Sequence, residues 1–147
     1  MNLGERLNED MKQLMRSGDK FALSVVRMIR SAIKNVEIDT RKTLSDDEVL
    51  DILSREIKQR RDALQEFEKA GRDDLADQAK AEIEVIQRYM PQPLTEDELA
   101  RIVEETIRET GAASKSDMGK VMSALMPKVK GRADGKQVNA AVQRLLG

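Results

Sequence analysis

The sequence predicts an all-α protein, an N-terminal four-helix domain over residues 1–92 followed by a small C-terminal three-helix domain over residues 93–147. Three observations carry this expectation. Apolar residues recur every three or four positions along nearly the whole chain, the period of one face of a helix. Of the 147 residues 36% are charged, 39% hydrophobic and 2% aromatic, a balance typical of helical proteins that leaves few strand-forming aromatics. Pro91-Gln92-Pro93 interrupts the pattern: neither proline can continue a helix, and each drives its preceding residue toward extended backbone.

Leu3, Leu7, Met11 and Leu14 form the first apolar stripe, and Ser17-Gly18-Asp19 stops it and recaps the next helix. The second helix carries Phe21, Val25, Met28, Ile29, Ala32, Ile33 and Val36 before the polar stretch Asp39-Thr40-Arg41-Lys42. Ser45 with Glu48 three residues later predicts a capping box, each side chain satisfying the other's free backbone N–H. Val49, Ile52, Leu53, Ile57, Leu64 and Phe67 line the helix that follows, and Gly71 is placed to end it in the left-handed conformation. Asp73 or Asp74 starts the fourth helix, with Leu75, Ala79, Ile83, Ile86 and Met90 inward, so that the third and fourth helices form an antiparallel hairpin. Thr95 with Glu98 repeats the capping box, Leu99, Ile102, Val103 and Ile107 face inward, and Gly111 ends the fifth helix. Ser116 or Asp117 caps the sixth, lined by Met118, Val121, Met122 and Leu125 with Pro127 near its end. Asp134 caps the seventh, whose inner face is Val138, Ala141, Val142 and Leu145.

Composition narrows the chemistry. No cysteine means no disulfide or thiolate nucleophile, and no histidine removes the commonest metal ligand and general base. No catalytic residue, metal ligand or cofactor is assigned. The opening residues Met1 to Arg6 carry no apolar run of a signal peptide, and no uncharged stretch approaches the roughly 20 residues of a membrane span, so a cytoplasmic protein without membrane contact is expected.

Charge is distributed unevenly. From Gly111 to Gly147 seven basic residues face two acidic ones, against nineteen and twenty-five in the preceding 110 residues. Such asymmetry marks a surface that meets a polyanion. It centres on Lys128-Val129-Lys130-Gly131-Arg132-Ala133-Asp134-Gly135-Lys136. Two readings fit this phrase: a solvated helix connection, or a phosphate-contacting element. In the second, Gly131 and Gly135 admit close approach, a helix N-terminus at Asp134 favours an anion, and Lys128, Lys130, Arg132 and Lys136 crowd the same place. It is not a nucleotide-binding P-loop, because three residues rather than four separate the glycines and Gln137 follows Lys136.

Other features have simpler explanations. Arg27, Arg30 and Lys34 make a basic stripe on the second helix, which Arg41 and Lys42 extend; a solvated face accounts for it, and a secondary basic contact face is the alternative. Arg55, Lys58, Arg60 and Arg61 have acidic neighbours three or four positions away. Met118, Met122 and Met126 at four-residue steps read as core. Ser114-Lys115-Ser116 superficially resembles the Ser and Lys nucleophiles of amidases, but its place before a helix points to capping. Asp46-Asp47 and Asp73-Asp74 sit at helix starts, where negative charge is favourable.

The phrases Met118-Gly119-Lys120-Val121-Met122 and Lys130 to Asn139, with Val26-Arg27-Met28, Arg60-Arg61-Asp62, Glu66-Phe67, Ala70 to Leu75 and Tyr89-Met90-Pro91, resemble the YqeY family in their order and spacing. These small bacterial proteins are similar to the C-terminal tail of the B subunit of the glutamine-dependent aminoacyl-tRNA amidotransferase. The tail likeness is clearest from Gly119 onward. The resemblance implies an all-helical, two-domain protein, and in the amidotransferase the tail holds tRNA while chemistry occurs elsewhere. A carbon–nitrogen ligase activity belongs to that complex and is not expected of this chain alone. Residues carried over are Gly119, Lys130, Gly131, Arg132, Asp134 and Asn139, of which Asn139 reads equally as a structural group within the seventh helix.

The functional expectation is therefore a non-catalytic module for tRNA or structured RNA. Lys120, Lys128, Lys130, Gly131, Arg132 and Lys136 meet phosphates, and Arg27, Arg30 and Lys34 form the secondary face. Scarce aromatics argue against stacking on splayed bases and for backbone and shape contacts. The alternative is an adaptor docking on an amidotransferase or aminoacyl-tRNA synthetase through the acidic helix Glu96 to Glu109. On the loop reading, Lys130→Glu with Arg132→Glu abolishes RNA binding and leaves folding unchanged.

Overall fold

The computed structural model describes residues 1–147 and consists of seven α-helices and one short 3-10 turn, with no strand. It divides into two compact units, Met1–Met90 and Pro91–Gly147.

The first unit holds α1 (Leu3–Ser17), α2 (Lys20–Thr40), α3 (Asp46–Lys69) and α4 (Asp73–Gln87). Short-range signals set most of their ends. The Asn2 and Asp19 side chains accept from the Glu5 and Ala22 backbone N–H groups, and Ser45 and Glu48 form the expected capping box. Gly18 and Gly71 adopt positive φ, 78° and 68°, closing α1 and following α3. The start of α4 differs from expectation. Its N-cap is Arg72, without a side-chain cap, and Asp73 and Asp74 both lie in the first turn. There their charges favour the helix dipole, while Arg72 holds Asp74 at 3.2 Å. α2 ends on Arg41 at φ 56°, the chain's single non-glycine residue with positive φ.

Leu7, Val26, Ile29, Leu53 and Ile86 are almost fully buried in this unit's core, each contributing about 1.5–3 kcal/mol by leaving water. Two positions differ from the sequence reading. Phe21 is 41% exposed, while Ala22 and Val26 are buried, because the cap at Asp19 sets the rotation of α2 so that positions 22, 25, 26, 29 and 33 face inward. Leu64 and Phe67 are only partly buried. α3 and α4 pack as an antiparallel hairpin: Arg60 meets Glu82 at 3.0 Å, and Phe67 and Leu75 line one open hollow.

The second unit holds α5 (Glu96–Thr110), a 3-10 turn (Lys115–Asp117), α6 (Met118–Val129) and α7 (Gly135–Leu146). Val103, Val121, Leu125, Val129, Val138 and Val142 are fully buried together. The second unit begins at Pro91. The strap after Pro91 packs with the second unit: Leu94 N–H donates to the Arg132 carbonyl at 2.8 Å, and Arg132 Nε donates to the Gln92 carbonyl at 3.0 Å. Thr95 caps α5 by accepting from Glu98 N–H, and its hydroxyl donates to the Glu98 carboxylate at 3.2 Å. Neither Ser116 nor Asp117 caps α6 through its side chain. Asp117 instead holds the 3-10 turn, its carboxylate accepting from the Ala113 and Ser114 N–H groups and its own N–H donating to the Ser114 carbonyl. The methionine stripe drifts out of the core: Met118 and Met122 pack against it and Met126 is 38% exposed. Two four-residue steps on a 3.6-residue helix rotate a side chain by about 80°.

Candidate nucleic-acid interface

The basic phrase is less of a loop than its sequence suggests. Lys128 and Val129 belong to the last turn of α6, Gly135 and Lys136 to the first turn of α7, and 130–134 connect them. Val129 is fully buried, so it anchors the phrase to the core and fixes where Lys128 and Lys130 leave the backbone. Gly131 supplies the turn, at φ 75°. Gly135 has ordinary helical backbone, and a Cβ there meets nothing within 4 Å.

The cations divide into two groups. Lys128 Nζ donates to the Glu109 carboxylate at 2.7 Å and to the Thr106 hydroxyl at 3.0 Å, tying α6 to α5. Thr106 is fully buried and donates to the Ile102 carbonyl, so Lys128 satisfies its remaining acceptor. Arg132 is likewise engaged, with Gln92 and with Glu98 at 3.7 Å. Lys120 and Lys136, by contrast, are exposed and form no ion pair. Lys130 is exposed on the connection itself. Lys120 stands near Asp117, whose carboxyl is held below the ordinary aspartate range first by the Ala113 and Ser114 N–H groups.

The N-terminus of α7 already has its anion. The Asp134 carboxylate accepts from Gln137 N–H at 2.8 Å, and Gln137 reaches back to Asp134 N–H. A phosphate arriving there would meet that negative charge, which leaves the lysine side chains as the available contacts. Asn139 is exposed on α7, three residues from Lys136 and on the same side of the helix.

In the first unit, Arg27 and Lys34 are exposed on α2, but Arg30 is turned inward, 2.9 Å from the Met11 sulfur. Arg60 pairs with Glu56 at 2.7 Å as its sequence spacing suggests, and with Glu82 on α4, which no local pattern reveals. A second unforeseen cluster joins α1 to the end of α4. The Tyr89 hydroxyl donates to Asp10 at 2.6 Å, Arg6 lies 4.7 Å from the Tyr89 ring centre, and Arg6 donates to the Arg88 carbonyl. These groups border an open hollow of about 300 Å³, but they satisfy one another. Nowhere do three or more acidic side chains gather as a metal site, and no helix is long and apolar enough to cross a membrane.

Comparison with known proteins gives a match to a family model described as Yqey-like protein over residues 4–146. Among curated proteins, "Altered inheritance of mitochondria protein 41, mitochondrial" from Pyrenophora tritici-repentis is 31% identical over 145 residues, 97% of this chain and 80% of that protein. Proteins of the same name from Lachancea thermotolerans and Candida glabrata are 38% and 41% identical over 87 and 86 residues, 58% and 57% of this chain. The aligned part spans about half the length of these two, 46% and 47%. The names correct the expectation of a cytoplasmic protein, since these relatives are mitochondrial. That no helix is long and apolar enough to cross a membrane describes hydropathy and does not assign a compartment.

Proposed function

Given that the chain belongs to the Yqey-like protein family, we propose that it is a non-catalytic module that binds tRNA or a similarly structured RNA through its phosphate backbone. The observation that carries this reading is the sorting of cations in the second unit. Lys128 and Arg132 hold the unit together, and Lys120, in the first turn of α6, and Lys136, in the first turn of α7, are exposed without ion pairs. We take the two compact units as separate domains, four helices and three, with the amidotransferase-like tail lying in the second. The adaptor reading has less support, because Glu98 and Glu109 of the acidic helix turn to Arg132 and Lys128 within the unit. The relatives' names direct the search for a biological RNA or partner to mitochondria rather than the cytoplasm.

The test is fluorescence anisotropy of labelled total tRNA across a salt series, with duplex DNA of similar length as competitor. Binding of modest affinity that prefers tRNA and weakens steeply with salt is expected. Lys120→Gln with Lys136→Gln lowers the slope of log affinity against log salt by up to about 2, roughly 0.9 for each phosphate that is no longer neutralised. No binding of the wild type at low salt refutes the RNA reading. A pull-down from mitochondrial extract that survives ribonuclease then moves the adaptor reading to first place.

A further inference from the structure

We propose that the exposed face of α2 is a second phosphate-contacting surface, a rigid basic ridge that engages the backbone of a structured RNA. This inference rests on the RNA reading above but concerns a different unit and different residues. The ridge has a register that the triplet Arg27, Arg30 and Lys34 does not express. Lys20, Arg27 and Lys34 recur every seven residues, two turns of helix, so they stay aligned along one side with only about 20° of drift per step, and Arg41 follows seven residues later as the C-cap of the helix. Their spacing is about 10 Å, over roughly 30 Å in all. Ser24, Ser31 and Ile38 fill the intervening turns of the same stripe, and all seven positions are exposed. Arg30 is not part of it, being turned toward Met11.

Two further observations favour a polyanion over plain solvation. From Lys20 to Val36 there are four cations, Arg30 among them, and no acidic residue, with Glu37 and Asp39 following before Arg41; Lys20, Arg27, Lys34 and Arg41 form no ion pair with carboxylates of the neighbouring helices. This contrasts with the neutralised Lys128 and Arg132. The second observation is Arg41 itself. Every other positive-φ position in the chain is glycine, the residue that tolerates this backbone without a Cβ clash. The exception falls on the heptad and adds a cation where glycine fits the backbone with less strain.

The same face does not suit a bilayer. The apolar side of α2 is spent on the core through Val25, Val26, Ile29 and Ile33. Phe21 and Ile38, its exposed apolar residues, lie about 25 Å apart along the axis, near opposite ends. Between the cations stand mainly serines, which suit phosphate and sugar hydroxyls. Because the array is fixed on a helix, it best complements a polyanion of fixed shape, a folded RNA rather than a flexible strand.

The experiment uses the full chain and labelled total tRNA. Lys20→Gln, Arg27→Gln and Lys34→Gln are combined, and a control combines Lys58→Gln, Lys69→Gln and Lys80→Gln, removing the same charge from α3 and α4. The ridge variant is expected to lower the salt slope by about 2.7 and affinity at 0.1 M salt by two to three powers of ten, roughly 0.9 in slope per phosphate; the control stays near wild type. Arg41→Gly provides a second reading: the slope falls by about 1 while the melting temperature holds or rises, which misfolding does not produce. Wild-type binding with an unchanged ridge variant overturns the ridge alone and leaves the RNA reading standing. Equal losses in ridge and control variants overturn it as a general charge effect. Binding of the wild type to phosphatidylserine vesicles, lost in the ridge variant while tRNA binding persists, assigns the face to lipid and overturns it. A wild type that binds no tRNA at low salt overturns both readings together.

Discussion

Replacing Arg132 with alanine tests the structural role of one cation in the basic phrase. The side chain is 37% exposed, its Nε donates to the Gln92 carbonyl at 3.0 Å, and its Nη2 lies 3.7 Å from Glu98. A hydrogen bond from a charged donor contributes about 1.5–3 kcal/mol when well buried, and partial exposure brings this toward about 1–1.5 kcal/mol. The Glu98 contact joins two side chains more than a third exposed and adds at most about 0.5 kcal/mol. The expected loss is therefore about 1–2 kcal/mol, although the Leu94 N–H bond to the Arg132 carbonyl survives because it is backbone. Urea unfolding at neutral pH is the assay, with a lower midpoint and unchanged slope expected. Lys136→Ala, on an exposed side chain without an ion pair, should stay within about 0.5 kcal/mol of wild type. An Arg132→Ala midpoint indistinguishable from wild type refutes the anchoring of the strap by this side chain. The structure thus revises the expectation that Lys130→Glu with Arg132→Glu leaves folding unchanged: introducing a carboxylate at 132 also places it beside Glu98.

Two further outcomes test other contacts. Tyr89→Phe, which deletes the 2.6 Å bond to Asp10, should cost about 1–2 kcal/mol in the same unfolding assay; no change would mean that water replaces the bond without loss. The Tyr89 hydroxyl is pushed up by burial and then by Asp10, so this contribution is present below the ordinary tyrosine range and declines as pH rises above about 10. Asp117→Asn should destabilise at neutral pH because the Ala113 and Ser114 N–H groups hold the native carboxyl below its ordinary range. That contribution is fully present above the ordinary value of about 3.9 and is lost as pH falls through the lower folded value. Wild-type and variant stabilities should converge in acid, and a gap unchanged to about pH 2 contradicts this account.

Much of the fold is legible in the sequence because its signals are local. Ser45 with Glu48, Asp134 with Gln137, and glycines at positions 18, 71 and 111 act over one helical turn, and the apolar period follows from the same geometry. The exposure of Phe21 escapes the stripe although the cap at Asp19 contains the information, since a stripe read without fixing its rotation is uncertain by about one position. Lys128 passes for a loop cation for another reason. Pro127 removes a backbone donor yet sits inside the last turn of α6, which continues to Val129. Glu82 beside Arg60, Asp10 beside Tyr89 and Gln92 beside Arg132 lie 22, 79 and 40 positions away, beyond any periodicity.

By itself the sequence determined an all-helical chain, the capping of most helices, the family, and an uneven distribution of charge along the chain. Only tertiary structure decided which cations are drawn into contacts within the protein. Ion pairing depends on distances of a few ångströms between helices, and helix packing sets those distances: it brings Glu109 to Lys128 and turns Arg30 toward Met11. The same packing leaves Lys20, Arg27 and Lys34 facing solvent without ion pairs.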